Sequence, residues 1–141
     1  MAEGTLVVVT NEAGLGQQIV SGRHTWRADE PAPIGTDTGP GPYELLLSSL
    51  GACTSMTLRL YAQRKGMDLQ RISVQLRHYR VHAEDCVGCE TKPSLLDHID
   101  REIRVEGNLN EEEKGRLLDI AERCPVHRTL TLKIEIKTSL A

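Results

Sequence analysis

The chain has 141 residues, of which 39% are hydrophobic and 26% are charged. This length suits one domain, and the composition predicts a soluble globular protein rather than a disordered, collagenous or disulfide-dense chain. Acidic and basic residues are mixed and the formal net charge is -3, so neither nucleic acid nor an anionic membrane is expected as a partner. The first residues lack the basic region and apolar run of a secretory signal. We therefore expect a cytoplasmic protein whose four cysteines act as thiols or metal ligands rather than as structural disulfides.

Two predicted strands and a loop open the chain. Residues 5–9 and 17–27 are β-branched or alternating, and the segment from Asn11 to Gly14 has the composition of a hairpin turn. Residues 29–42 contain four prolines and three glycines, which interrupt any helix or strand. This loop is either ordered or mobile, and its length is typical of a functional loop.

A long helix is predicted from Tyr43 to Lys65, with Pro42 at its entrance and Gly66 as its stop. Its residues are apolar or small around nearly the whole circumference, which is typical of a helix buried on all sides. Hydroxyl residues and the charges of Glu44 and Arg59 dilute the run too much for a membrane span. A lone domain of this size would struggle to cover such a helix, and we therefore expect a homodimer.

The second half of the chain is predicted to form two strands, a helix and a closing strand. Apolar and polar residues alternate over 72–81 and over 99–105, which indicates two half-buried strands. Asn110 is the expected N-cap of a helix that carries acids in its first turn and ends at Cys124 and Pro125. Residues 131–138 alternate again. The sequence therefore predicts an α+β fold in a single domain, residues 1–141, with the order β-β-α-β-β-α-β.

Cys53 and Cys124 are candidates for thiol chemistry. Cys53 lies in the middle of the long helix among small residues, where a cysteine is often just a small hydrophobe. Cys124 stands at a predicted helix end beside Pro125, where a small movement of the chain would displace its sulfur. Such chemistry needs a thiolate that attacks an electrophilic oxygen to give a sulfenic acid, and a second thiol that condenses with it. Cys53 and Cys124 can supply this pair only if the fold joins them.

Cys86 and Cys89 form a Cys-x2-Cys unit with three candidate uses. A zinc site normally needs four ligands, and His82, with His78 and His98, would have to complete a mixed one. A redox disulfide of the thioredoxin type would open a helix, which the residues after Cys89 do not predict. Two free loop thiols are the use that the sequence favours.

Arg23 and Arg27 are candidate partners for a reactive thiol. They lie with His24 and Trp26 on the second predicted strand, ahead of the loop. An arginine beside a cysteine stabilises the thiolate, which is the reactive species. The alternative is a solvated strand face without a chemical role.

Two segments carry a family resemblance. GPYELLLSSLGACTSMTLRLYA and RCPVHRTL resemble the OsmC/Ohr superfamily of thiol-dependent hydroperoxide reductases, and HTWRADEP and HAEDCVGCE resemble its OsmC-like branch. The resemblance runs from about His24 to the end of the chain. It implies an intertwined homodimer, with the long helices central and both sites at the subunit interface. It also implies that Cys53 is the peroxidatic cysteine, which attacks the peroxide, and that Cys124 is the resolving cysteine, which closes the disulfide.

The resemblance also implies a catalytic arginine and an acid that contacts it. The arginine comes from the amino-terminal strands of family members, so Arg27 and Arg23 are the candidates, with Arg27 favoured because it adjoins the loop. Family members carry the acid ten residues before the peroxidatic cysteine, where this chain has Tyr43. Glu44 is the nearest acid, and its nine-residue spacing, about 900° on an ideal helix, places it on the face opposite Cys53.

The function implied by the resemblance is peroxide reduction in oxidative-stress defence. Its substrate would be an organic hydroperoxide, and a small dithiol or a thioredoxin-like protein would restore the thiols. The chemistry needs no cofactor and no metal. Two alternatives remain open: a non-enzymatic protein that senses thiol state or binds a small ligand, and a structural domain held by zinc at Cys86 and Cys89.

Overall fold

The structure is a computed structural model that describes residues 4–82 and 95–141. The chain divides after Leu46 into two compact units. The described residues combine helices with two antiparallel sheets, which confirms the predicted α+β class. The assignment of residues 1–141 to one domain stays a prediction. In chain order the elements are β1 (Val8–Thr10), β2 (Gln17–Ser21), β3 (His24–Ala28), α1 (Pro42–Lys65), β4 (Asp68–His82), β5 (Leu95–Asn108), α2 (Glu111–Ala121) and α3 (Pro125–Thr131).

The amino-terminal unit contains a three-stranded sheet in the order β1-β2-β3. The structure corrects the single strand predicted over 17–27, because the chain reverses between Ser21 and His24. Gly22 opens this two-residue turn with a φ of 57°, a left-handed conformation that glycine adopts without strain. Apolar and polar residues alternate on both sides of the turn, so the alternation alone does not show where the chain reverses.

The proline-rich loop after β3 is ordered by the buried carboxylate of Asp29. This carboxylate accepts hydrogen bonds from the hydroxyls of Thr38 at 2.7 Å and Thr36 at 2.8 Å, and from the backbone N–H of Glu30 at 2.8 Å. The Thr38 hydroxyl is the largest of the causes that hold the pKa of Asp29 well below its usual range. These contacts give the loop a defined conformation, which supports the ordered alternative.

The carboxy-terminal unit packs α1 and α2 against the long β4–β5 ribbon. The ribbon is antiparallel, with Ile72 opposite Val105 and Val74 opposite Ile103. These strands contain the predicted segments 72–81 and 99–105 and extend beyond them. The core lies between the ribbon and the helices and is formed by Leu58, Tyr61, Ala62, Leu69, Leu117, Ile120 and Ala121.

Helix α1 buries one stripe of its surface within a single chain. The buried positions recur at about every fourth residue, as one face of a helix requires, and comprise Leu50, Thr54, Leu58, Tyr61 and Ala62. Elsewhere on the helix, Met56 is 65% and Leu60 is 60% exposed. The burial on all sides that the sequence predicts is therefore not completed by one chain. Within the described part of the chain, no helix reaches the length and apolarity that a membrane span requires.

Helix α2 begins at the predicted cap but ends earlier than predicted. The side-chain oxygen of Asn110 accepts from the backbone N–H of Glu113 at 2.8 Å, and the Glu113 carboxylate accepts from the N–H of Asn110 at 3.1 Å. The helix ends at Ala121 rather than at Cys124. Cys124 is the N-cap of α3, with Pro125 in the first turn, where its missing N–H is not needed.

The closing strand predicted over 131–138 does not form in the single chain. Its first residue ends α3, and residues 133–141 belong to neither a helix nor a strand. Ile134 is 53% and Ile136 is 83% exposed. The alternating pattern is present, but a strand needs a neighbouring strand to satisfy its backbone groups.

Candidate active site

The fold brings Cys53 and Cys124 together, although they lie far apart in the sequence. Cys53 is half-buried on α1, and Cys124 is fully buried at the start of α3. The backbone N–H of Val126 donates to Sγ of Cys53 at 3.5 Å. Sγ of Cys124 lies 3.9 Å from the hydroxyl of Thr54, the residue after Cys53. Both cysteines are free thiols in the structure.

The first turn of α3 donates to both sulfurs. Pro125 has no N–H, and the next two N–H groups point outward from the helix start because they have no partner within it. The N–H of Val126 contacts Cys53, and the N–H of His127 contacts Sγ of Cys124 at 3.3 Å. Hydrogen bonds of this kind stabilise negative charge on sulfur. One short segment of backbone therefore donates hydrogen bonds to both thiols.

Arg101 on β5 is part of this site, and sequence reasoning missed it. Its side chain is 11% exposed. Nη1 donates to the hydroxyl of Thr54 at 3.0 Å, and Nη2 donates to Nδ1 of His127 at 3.1 Å. The sequence carried one signal. Arg101 lies at an alternate position between Ile99 and Ile103, where the strand pattern predicts an apolar residue.

The hydrogen bonds around His127 define its tautomer. An arginine has only donors, so Nδ1 of His127 must be the acceptor and the ring proton lies on Nε2. Nε2 then donates to the carboxylate of Glu122, 3.1 Å away. That carboxylate is also 3.7 Å from Nη2 of Arg101. Arg101, His127 and Glu122 thus form one connected polar network beside Cys124.

The other predicted site residues belong to the amino-terminal unit. Nε of Arg27 donates to the hydroxyl of Thr38 at 3.3 Å. Arg23 lies in the turn between β2 and β3 and is exposed, so it is not on a strand as predicted. Glu44 stands in the first turn of α1, where its carboxylate accepts from the backbone N–H of Gly41 at 3.3 Å. The catalytic roles of these three residues stay predictions.

The predicted Cys86–Cys89 loop lies outside the described residues, and its zinc, disulfide and free-thiol alternatives stay open. On the described ribbon, Asp97 accepts hydrogen bonds from Nε2 of His78 at 2.7 Å and from Nε of Arg80 at 3.0 Å. These hydrogen bonds, that of His78 first, lower the pKa of Asp97. His98 stacks on Tyr79, with ring centres 5.6 Å apart. Within residues 4–82 and 95–141, no three potential metal-ligating side chains converge.

Comparison with known proteins identifies related sequences and folds. The family described as OsmC-like protein matches residues 35–139, a range that contains both Cys53 and Cys124. No curated protein matches the sequence.

Several solved structures share the fold. An OsmC-like protein from Mycoplasma pneumoniae is 23% identical, with a TM-score of 0.74, over 92% of this chain and 89% of that one. An organic hydroperoxide resistance protein OsmC from Legionella pneumophila is 16% identical, with a TM-score of 0.66, over 93% and 91%. The organic hydroperoxide resistance protein OhrB from Bacillus subtilis is 17% identical, with a TM-score of 0.60, over 92% and 91%. At these identities the likeness establishes the fold alone.

Proposed function

Because this chain belongs to the OsmC-like protein family, we propose that it reduces organic hydroperoxides with its own cysteine thiols. The observation that carries the proposal is the contact of one helical turn with both sulfurs: Val126 at Cys53 and His127 at Cys124. Two thiols held by the same turn can exchange a bond without a large movement. Two proteins of the same fold, from Legionella pneumophila and Bacillus subtilis, are named for organic hydroperoxide resistance.

In the proposed first step, the Cys53 thiolate attacks the distal oxygen of the hydroperoxide. The O–O bond breaks, the alcohol leaves after taking a proton, and Cys53 becomes a sulfenic acid. The half-buried position of Cys53 supports this role, because a substrate must reach the sulfur. The full burial of Cys124 is consistent with the role of the resolving cysteine.

In the proposed second step, Cys124 attacks the oxidised sulfur of Cys53. The S–S bond forms, the S–O bond breaks, and the departing hydroxide takes the thiol proton to leave as water. A small dithiol or a thioredoxin-like protein then reduces the disulfide and restores both thiols. The cycle needs no cofactor and would serve antioxidant defence in the cytoplasm.

We assign thiolate activation to Arg27 or Arg23, with Glu44 as the acid that orients the arginine. The assignment follows the family resemblance. What supports Arg27 over Arg23 is its placement: its guanidinium is held by Thr38 of the ordered loop, whereas Arg23 lies in an exposed turn. A side chain already held in place loses less conformational entropy when it binds a charged group.

We also propose that the active protein is a homodimer. Met56 and Leu60 leave α1 with exposed apolar surface, and residues 133–141 have strand alternation but pair with no strand in residues 4–82 and 95–141. A second copy of the chain would cover both features. Light scattering at micromolar concentration tests this proposal, and a monomer would contradict it.

The test of the function is the thiol-dependent loss of cumene hydroperoxide with dithiothreitol as reductant. The wild type should consume the peroxide, and Cys53→Ser should lose nearly all of this activity. The matched control is the double variant Cys86→Ser/Cys89→Ser, which removes two thiols but keeps the Cys53–Cys124 pair. If Cys53→Ser turns over as fast as the wild type, the proposal is wrong.

Binding of a small apolar ligand is a second candidate function, favoured by a groove beside α1. The groove encloses about 350 Å³ and is lined by Leu47, Ser48, Gly51, Ala52, Ser55, Ile72, Val74 and Leu76. Apolar walls with a few hydroxyls are typical of ligand sites. A wild-type protein that binds a fluorescent fatty acid but leaves cumene hydroperoxide unchanged would favour this candidate over the enzyme.

A further inference from the structure

Arg101 is a charged side chain on the apolar face of the β4–β5 ribbon. In the register it stands opposite Leu76, and along β5 it lies between Ile99 and Ile103. A buried charge costs free energy unless it is fully hydrogen-bonded, and an apolar residue of similar size is often no less stable. Packing alone therefore does not explain an arginine at this position.

We propose that Arg101 is a positioning residue for disulfide closure between Cys53 and Cys124. This inference rests on the proposed function, in which that closure is the second step. The guanidinium holds Thr54 on α1 with one nitrogen and His127 on α3 with the other, at 3.0 and 3.1 Å. It thereby links the start of α3, where Cys124 lies, to the part of α1 that carries Cys53.

The two residues that Arg101 holds are adjacent to the two thiols. Thr54 follows Cys53 directly in α1, and the backbone N–H of His127 contacts Sγ of Cys124 at 3.3 Å. The planar guanidinium presents its donors in a fixed fork, so it fixes both contacts with one side chain. A lysine has the charge but lacks the fork.

Arg101 also determines which way the neighbouring polar groups point. The Thr54 hydroxyl donates to the carbonyl of Leu50 at 2.7 Å and accepts from Arg101, which leaves it able to accept from the Cys124 thiol. His127 accepts from Arg101 and donates to Glu122. Without Arg101, neither the hydroxyl nor the imidazole is held in this arrangement.

The experiment measures closure without a peroxide. Oxidised glutathione forms a mixed disulfide with the Cys53 thiolate and releases one glutathione thiolate. Cys124 then attacks the Cys53 sulfur, so that the internal S–S bond forms and a second glutathione thiolate leaves with the proton. Acid quenching and intact mass follow both steps. The first step is measured alone in the Cys124→Ser background.

Arg101→Met and Arg101→Lys should each slow closure by roughly tenfold or more, because a lost hydrogen-bond fork misplaces the attacking sulfur. The first step should change by less than about twofold. The thermal midpoint of Arg101→Met should fall by a few degrees at most, because methionine fills the apolar position and the Thr54 hydroxyl keeps its hydrogen bond to the carbonyl of Leu50. The matched control is Arg104→Met, which removes an exposed arginine from the same strand and should close at the wild-type rate.

Glu122→Ala is the second variant, because it removes the acceptor of Nε2 of His127 and the Glu122 side chain is 61% exposed. Loss of the carboxylate that holds His127 should slow closure several-fold. The proposal is wrong if Arg101→Met closes the disulfide at the wild-type rate or slows both steps equally. It is also wrong if Arg101→Lys closes the disulfide at the wild-type rate. A wild type that closes the disulfide but does not consume cumene hydroperoxide would refute the peroxidase function and leave the role of Arg101 standing.

Discussion

Cys53 and Cys124 occupy two different environments within one site. Cys53 lies half-buried on a long helix, next to small residues, and accepts one backbone N–H from Val126. Cys124 is fully buried and is contacted by the Thr54 hydroxyl and by the backbone of His127. The difference is one of exposure: the first sulfur is partly open to solvent, whereas the second is enclosed by the protein.

The largest effect is expected from removing one thiol at a time, which tests the roles proposed for Cys53 and Cys124. Peroxide-treated Cys124→Ser should accumulate a sulfenic acid at Cys53, because no second thiol condenses with it, and should over-oxidise more readily than the wild type. Dimedone labelling followed by peptide mass spectrometry measures this. In Cys53→Ser, Cys124 should stay unlabelled because it is buried. Labelling of Cys124 in that variant would reverse the assignment.

A large loss of stability is expected from Thr54→Val. Thr54 is fully buried, and valine has nearly the same shape but cannot accept from Arg101. A buried donor that loses its partner costs about 1–3 kcal/mol. Urea unfolding followed by circular dichroism measures the difference. Thr54→Ser keeps the hydroxyl and is the control, and an equal loss in both variants would show that the methyl group, not the hydroxyl, matters.

Like Cys124, the carboxylate of Asp29 is buried, and it is expected to stabilise the fold to an extent that depends on pH. Because its pKa is lowered in the fold, its contribution to stability is present above the unfolded pKa of about 3.9 and is lost as the pH falls below it. The fluorescence of Trp26, the only tryptophan, reports on the neighbouring strand. Asp29→Asn should unfold at lower urea at pH 7, and the gap to the wild type should narrow in acid. A gap that stays constant with pH would contradict the assignment.

The smallest effect is expected from Cys86→Ser/Cys89→Ser. If both thiols are free, the double variant should keep its peroxide turnover, and its stability should change by no more than about 0.5 kcal/mol. Thermal unfolding with and without a chelator measures this. A melting temperature lowered by several degrees in the double variant, or in the wild type with chelator, would instead establish the zinc alternative.

Local signals in the sequence were sufficient for most of the elements. The alternation over 72–81 and 99–105 predicted β4 and β5, and the Asn110 cap was correct because a capping box involves neighbouring residues only. Local signals failed where an element depends on distant partners. No described strand pairs with the 131–138 pattern, and a proline after a cysteine fits the end of one helix as well as the start of the next, which is what Pro125 is.

For the candidate site, the sequence alone identified the two cysteines, and tertiary structure added the residues that hold them. Cys53 and Cys124 have reactive side chains in motifs that a reader of the sequence can recognise. Arg101 has no motif, and only its position on the apolar face of β5, against Thr54 and His127, distinguishes it from the exposed Arg104. The presence of a thiol is a property of the residue type, whereas its burial, its hydrogen bonds and its activation depend on which distant segments the fold brings into contact.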